Sequence, residues 1–488
     1  LKPGTPRASR RPKPLRLHFA TWELAPLAQT GGLGDAAGGL ARALVARRHA
    51  VTCILPAHRD VLRHPACPAL ESCGDVSLST PQGDIHGRWL GGTHDGVRLR
   101  LLDLPALYDR PQLYGSPGVA EALRYIALSR AAAALAAAER PDVLVAHDWH
   151  AALSLCALRT CFDFGAARGI GTVQVVHNGA FLGRFAADAF PATGLPRELF
   201  HPDALEFWND LALLKGGVAW ADRIVAVSPR YAEELQTPAF GAGIDGLYRF
   251  RAERLLGIVN GIDAERYDPQ TDATLAARFS AQYPKPRTAC RTALLEATGL
   301  DAPPPGRLLA AIGRLVAQKG WDVLIDALPE LIRNGASLVL VGDGDPALVK
   351  RLREAVARWP RRVFAAIGWD EPLSRRAYAG SDCVLVPSRF EPCGLVQLLA
   401  QRYGSLPVAH RTGGLVDTIE DGRTGILFEP LTPETLVVAV ERAVKLMRDD
   451  GADVVRRHLL GLDVSWAGPA TSWERVFAAV AREAARRI

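Results

Sequence analysis

The sequence has no C-x-x-C pair and no His/Cys cluster at zinc spacing, although Cys53, Cys67, Cys73, Cys156, Cys161, Cys290, Cys383 and Cys393 are scattered along it. This excludes a disulfide framework and a structural zinc site read from spacing, and it fits a reducing compartment; a cytoplasmic protein with no metal is expected. No apolar run is long enough to cross a bilayer. The longest runs are strand-length and broken by Gly, Pro or charge, and the Ala-rich stretch 131–138 ends at Glu139 and Arg140. A strong excess of one charge is also missing: 58 basic against 52 acidic residues leaves +6. Part of that surplus lies in Lys2, Arg7, Arg10, Arg11, Lys13 and Arg16, with no acid before Glu23. Residues 1–14 are Pro-rich and lack the apolar centre of a signal peptide, so they read as a disordered basic tail. No aromatic-basic surface motif supports nucleic-acid binding, and neither nucleic acid nor membrane is expected as a partner.

What is present is an α/β pattern. A length of 488 residues exceeds one ordinary core, and 48% hydrophobic with 23% charged residues is a globular balance. Short Val/Ile/Leu-rich runs at 15–20, 50–55, 97–102, 142–146, 172–176 and 223–227 predict strands; after a Pro-bearing stretch they resume at 308–312, 337–341, 363–367, 383–386 and 406–409. Such runs fit strands of a parallel sheet buried on both faces. Helical patterns at 120–139, 321–333, 346–359 and 433–447 separate them. Repeated βα units give doubly wound domains. The expected division is an N-terminal Rossmann-like domain over 15–262, an interdomain connection over 263–305 and a C-terminal Rossmann-like domain over 306–466. Residues 467–488 hold a last helix, at about 472–487 beyond a loop at 465–469, placed to cross back to the first domain. Two such domains facing across a cleft would place ligands beyond the carboxyl ends of their strands.

Five motifs sit at those strand ends. Thr30-Gly31-Gly32-Leu33-Gly34-Asp35 leads into a helix; it is either a phosphate-binding loop or a plain tight turn, and it lacks the Lys-Ser/Thr of a Walker loop. His147-Asp148-Trp149-His150 closes a strand. His147 there can hydrogen-bond a sugar hydroxyl or carry a proton; the alternative is a capping motif, with Asp148 as helix N-cap and His150 at the surface. Arg314 and Lys319, in Gly313–Gly320, can grip one anion from two sides, or be two solvated cations. Glu391, in Ser388–Leu395, suits a sugar hydroxyl. Leu399 stands eight residues on, so no second acid supports two-carboxylate glycosidase chemistry. Arg411-Thr412-Gly413-Gly414-Leu415 is a second Gly turn opening a helix.

Together these motifs, with Val176-His177-Asn178, Ala226–Pro229 and Asn260–Asp263, resemble the bacterial glycogen synthases and plant starch synthases, retaining glucosyltransferases of the GT-B fold. The resemblance runs from about Leu15 to the final helix. It implies transfer of glucose from ADP-glucose to the non-reducing end of an α-1,4-glucan such as glycogen, with no cofactor and no metal. It also implies a glucan acceptor side on the N-terminal domain and a nucleotide-sugar side on the C-terminal one. Arg314 and Lys319 would hold the diphosphate, Glu391 the donor glucose hydroxyls, and His147 its 6-hydroxyl; these four form the expected catalytic set. Gln29, Gly31, Gly32, Asp35, Asn178, Asn209, Trp369, Cys393, Gly394, Leu395 and Thr412 would bind substrate. Three positions depart from the family pattern. Gln29 stands where the family has a lysine, Trp369 where it has a tyrosine that stacks on adenine, and Val396 where it has a threonine. Use of UDP-glucose or another acceptor, or a glucan-binding homologue weakened by the missing lysine cation at Gln29, are the alternative readings.

Overall fold

The computed structural model describes residues 13–162 and 165–488, so most of the basic tail lies outside the described residues. The chain divides into two compact units. The first comprises residues up to Ala226, Leu235–Leu256 and Ala467–Ile488; the second comprises Val227–Glu234 and Gly257–Trp466.

The first unit is built on a nine-stranded sheet of β1 (Arg16–Ala20), β2 (Ala50–Pro56), β3 (Glu71–Thr80), β4 (Gly83–His94), β5 (Val97–Asp103), β6 (Val143–His147), β7 (Gly171–Val176), β11 (Arg223–Ala226) and β12 (Leu255–Gly257). Three short strands, β8 (Arg184–Ala186), β9 (Glu206–Phe207) and β10 (Asp210–Ala212), form a separate small sheet. The large sheet has the order β12-β11-β7-β6-β1-β2-β5-β4-β3. β1 runs parallel to both β2 and β6, pairing Phe19 with Cys53 and with Val145. The chain winds outward in both directions from β1, so the order reverses between β1 and β6. Their buried runs (Leu17, Phe19, Val143, Leu144, Val145) explain why central strands read as continuous apolar segments.

The edge departs from the parallel, doubly buried expectation. β3 and β4 are antiparallel to their neighbours, and much of their surface faces solvent. Val76 and Leu78 alternate with polar residues and turn inward, which is the period of a one-sided antiparallel strand. The last helix spans Ala467–Ala485, starting within the stretch expected to be loop. It packs inside the first unit: Trp473, Phe477 and Val480 are buried, and Glu474 meets Arg47 at 2.5 Å and His49 at 3.0 Å.

The second unit carries β13 (Leu308–Ile312), β14 (Ser337–Gly342), β15 (Val363–Ile367), β16 (Cys383–Val386), β17 (Leu406–His410) and β18 (Ile426–Phe428), all parallel. Their order is β15-β14-β13-β16-β17-β18, a doubly wound sheet whose reversal falls between β13 and β16. Caps fix where its helices begin. Asp345 accepts a hydrogen bond from the Ala347 N–H ahead of Pro346–Arg358, Asp370 accepts from Leu373 ahead of Glu371–Gly380, and Thr432 opens a capping box on Pro433–Leu446. The Pro-bearing stretch 263–305 belongs to this unit. Its helix Arg287–Thr298 is tied down by the buried Arg287 guanidinium, which donates to the carbonyls of Tyr403, Tyr378 and Ser381.

Candidate active site

In the first unit, the segment after β1 and the loops after β6 and β7 lie at the reversal of strand order, where open α/β sheets bind ligands. Gly31 is the N-cap of the helix Gly32–Ala46, and a Cβ added to it would have no atom within 4 Å. Packing therefore does not demand glycine at Gly31, whereas Gly38 lies so close to the Ala25 carbonyl that a Cβ would stand at 2.8 Å from it. The Gln29 amide donates to the Asp35 carboxylate at 2.5 Å. Sequence reasoning missed Glu23, whose buried carboxylate accepts from Thr30 N–H (2.8 Å), Thr30 hydroxyl (2.6 Å) and Gly31 N–H (3.3 Å). No motif marked it: it stands seven residues ahead of Thr30, outside the glycine loop, and its partners there are two backbone N–H groups and a hydroxyl.

His147 ends β6 with 1% exposure, and its Nδ1 lies 3.0 Å from His177 Nε2. The two rings are stacked, with Phe19 against the outer face of His147 at 5.0 Å between centroids. Burial, reinforced by His177, holds the His147 pKa well below its ordinary value, and burial pushes His177 down to about 3. Both rings therefore stay neutral near neutral pH and act as hydrogen-bonding groups rather than acids. His147 Nε2 is buried and has no protein partner.

Asp148 does not cap the helix that follows. It is the first residue of Asp148–Thr160, at φ +57°, and its carboxylate accepts from the N–H groups of His177 (2.7 Å) and Asn178 (3.1 Å). That clamp sets His177 beside His147 and brings Asn178 into the same group. Burial raises the Asp148 carboxyl to about 7 against the pull of those two N–H donors. His150 is not at the surface: it is buried, stacked on Trp149 at 3.9 Å, in a cluster with Trp22, Tyr114 and Tyr125. Asn209 lies elsewhere in this unit, at the tip of the β9–β10 hairpin. Trp208 and Asn209 both have positive φ, as a two-residue type I′ turn requires, and the Asn209 N–H donates to Glu206 at 2.6 Å.

In the second unit the loops after β13 and β16 meet at the reversal of strand order. Lys319 Nζ lies 2.5 Å from a Glu391 oxygen, to which the Ser388 hydroxyl also donates at 3.0 Å. The two loops are stitched together: the Arg389 N–H donates to the Gln318 carbonyl, the Gln318 amide to the Phe390 carbonyl, and the Arg389 guanidinium pairs with Asp322. Gly320, at φ +66°, makes this approach: a Cβ there would stand 1.9 Å from the Pro387 carbonyl oxygen. The Arg411–Leu415 turn packs behind them, with the Gly414 N–H donating to the Glu391 carbonyl at 2.9 Å and the Gly413 N–H to the Glu234 carboxylate at 2.9 Å. Thr412 is buried as the N-cap of Gly413–Thr418.

The remaining sites differ in exposure. Arg314 is exposed, and its carbonyl accepts from the Trp321 indole N–H; the paired grip of Arg314 and Lys319 on one anion is thus not preformed, since Lys319 holds Glu391. Cys393 is buried, accepts from the Asn260 N–H at 3.4 Å, and has its thiol pushed up to about 12 by burial, so it packs rather than reacts. Gly394 and Leu395 lead into Val396–Arg402, with the Gln397 amide donating back to the Cys393 and Gly394 carbonyls. Trp369 is 74% exposed beyond the end of β15. β15 is two strands from β13, roughly 10 Å at ordinary strand spacing, a separation that a nucleoside diphosphate spans. An Asp-x-Asp triplet, Asp343–Asp345, has both carboxylates engaged by backbone N–H groups of Gly344 and Ala347.

Two doubly wound α/β units, each with polar side chains at its strand-order reversal, are the architecture of glycosyltransferases of the GT-B fold. The sucrose-phosphate synthase of Thermosynechococcus elongatus shares that fold, with a TM-score of 0.61 at 17% identity over 96% of this chain and 100% of that one. Residues 16–250 match the family described as starch synthase catalytic domain, and residues 306–445 match glycosyl transferases group 1. Glycogen synthases from Methylocella silvestris and Alkalilimnicola ehrlichii are 39% and 42% identical, over 94% and 95% of this chain and 98% of each relative. The catalytic domain of starch synthase IV from Arabidopsis thaliana, solved bound to ADP and acarbose, superposes with a TM-score of 0.88 at 28% identity, over 96% of this chain and 100% of that one. The chain belongs to the glycogen synthase and starch synthase family of hexosyltransferases.

Proposed function

We propose that this protein is a glycogen synthase that moves glucose from ADP-glucose to the non-reducing end of an α-1,4-glucan with retention of configuration. Likeness to glycogen synthases over nearly the full chain carries the reading. The Lys319–Glu391 pair, at the strand-order reversal of the second unit, supports it. The second unit forms the nucleotide-sugar side and the first the glucan side, and the Thr30–Gly32 loop of the first meets the donor phosphates. Arg314 and Lys319 meet the charge that builds on the departing diphosphate, an electrostatic role that needs no cofactor or metal. The backbone of Gly394 and Leu395 donates to the phosphates, and Glu391 accepts from glucose hydroxyls. His147, kept neutral by burial, bonds the 6-hydroxyl through its unpartnered Nε2. Gln29, Gly31, Gly32, Asp35, Asn178, Asn209, Cys393 and Thr412 complete the substrate contacts or hold the loops that make them.

Two observations favour ADP-glucose over UDP-glucose: Trp369 presents an exposed indole for a purine to stack on, and Arabidopsis starch synthase IV was solved with ADP. Eight free cysteines suit the reducing cytoplasm, where we place the activity. The test is incorporation of label into glycogen primer by the purified protein, from ADP-glucose and UDP-glucose in parallel. Faster transfer from ADP-glucose is expected. Equal or faster transfer from UDP-glucose overturns the donor assignment, and no transfer from either overturns the activity.

A further inference from the structure

Glu23 stands three residues beyond β1, on a segment that Thr21 fixes by donating its hydroxyl to the Glu23 carbonyl at 2.8 Å and its N–H to the Ile54 carbonyl at 3.0 Å. The residue is 2% exposed, and among the described residues no Lys, Arg or His pairs with it. A buried carboxylate without a cation is costly unless hydrogen bonds replace its water. Four do so here. One oxygen accepts from the N–H groups of Thr30 (2.8 Å) and Gly31 (3.3 Å); the other accepts from the Thr30 hydroxyl (2.6 Å) and the Tyr114 hydroxyl (2.5 Å).

Three of these donors belong to the loop that opens the helix Gly32–Ala46. The fourth, Tyr114, comes from a segment about ninety residues on, which is tethered in turn by the Trp22 indole N–H donating to the Leu113 carbonyl at 3.3 Å. The donors taken by Glu23 lie immediately before the helix. The first N–H groups of the helix itself, from Gly32 onward, have no intrahelical acceptor. Glu23 thus turns Thr30 and Gly31 inward and settles which way the helix start faces.

We propose that Glu23, latched by Tyr114, is a positioning residue that orients the Thr30–Gly32 loop for the nucleotide sugar without touching it. This inference rests on the glycogen synthase reading above. A carboxylate near a loop that receives a diphosphate works against anion binding by charge alone, so its presence there is explained by geometry. The Gln29 side chain, held by Asp35, places no cation at position 29, which leaves the loop's orientation the more important.

The experiment compares wild type with Glu23→Gln, Glu23→Asp and Tyr114→Phe. Donor KM, glucan KM and kcat are measured in the glycogen assay, ADP affinity by calorimetry, and amide exchange at Thr30 and Gly31 by mass spectrometry. In Glu23→Gln one of the two oxygens becomes an NH2 group that cannot accept, and donor KM and ADP Kd are expected to rise about tenfold or more, with glucan KM unchanged and faster exchange at Thr30 and Gly31. Tyr114→Phe, which keeps the carboxylate and folds if Glu23→Gln does not, moves the same quantities in the same direction by less. Glu23→Asp keeps the charge but is one methylene short, so it does not rescue. Unchanged donor KM, ADP Kd and exchange in the folded variants overturn the inference, as does wild-type behaviour of Glu23→Asp, which would make the role one of charge. A wild type that transfers from no nucleotide sugar sinks the glycogen synthase reading instead, while ADP binding and amide exchange still decide the role of Glu23.

Discussion

The Lys319–Glu391 pair makes one residue answer for two effects. The Glu391 carboxylate is nearly buried, and Lys319 at 2.5 Å is its cation. Removing Lys319 takes a charge from the diphosphate and leaves Glu391 uncompensated. Hydrogen bonds to charged groups contribute roughly 1.5–3 kcal/mol, so Lys319→Ala should lower kcat/KM at least about tenfold and lower Tm as well. The double variant Lys319→Ala/Glu391→Gln should recover much of the Tm and none of the activity. Steady-state kinetics and thermal melts on the three proteins check this; less than threefold loss in a folded Lys319→Ala argues against the diphosphate role.

Asp148 yields a pH prediction. Its folded pKa, about 7, lies above its ordinary value of 3.8. The folded state therefore holds a proton that the unfolded chain has released, and stability from this group is full below about pH 4 and lost as pH rises through 7. Asp148→Asn keeps an oxygen to accept the His177 and Asn178 N–H groups and cannot ionise. The Tm of the variant relative to wild type should climb between pH 4 and 8; a constant difference shows that Asp148 does not titrate there. His147, Lys319 and Glu391 were legible in the sequence because polar groups at the ends of apolar runs stand out. The clamping role of Asp148 was not, because it acts on backbone N–H groups about thirty residues on; His177 stood in a quoted motif, but its ring contact with His147 is made only by folding; Glu23 carried no motif of its own.

At the scale of elements, the site of the second unit depends on loops that touch through glycine. Gly320→Ala places a Cβ 1.9 Å from the Pro387 oxygen at φ +66°. A strained left-handed residue costs about 1–3 kcal/mol, and relief requires the loops to part, moving Lys319 from Glu391. The variant should unfold at lower denaturant and lose kcat/KM by about tenfold or more; wild-type kinetics would show that loop spacing is not critical. Most strands of both large sheets were legible from their apolar runs, usually to within a residue. The β3–β4 arm was missed because half of each strand faces water, and alternation rather than an apolar run is its mark. The final helix was placed late because its first turn, Ala-Gly-Pro-Ala, carries a helix breaker's composition while Pro469 sits where a missing N–H is tolerated.

For the whole molecule, the chain's last twenty residues are structural to its first half. Phe477 is fully buried against Trp473 and Phe19. Phe477→Ala should destabilise the first unit by about 3–5 kcal/mol, read as a lower denaturation midpoint; a shift under about 1 kcal/mol would mean that the helix is dispensable. What the sequence by itself determined is the fold class, the family and the strand-end residues offered for chemistry, because burial of parallel strands and motif spacing are local properties of the chain. The tertiary structure decided what those residues touch. Lys319 found Glu391, Asp148 took the backbone of His177, and Glu23 took the loop before the first helix. The first two contacts join segments that only the winding of the sheets makes neighbours; the third is local, but its latch to Tyr114 spans ninety-one residues and is likewise made by the fold.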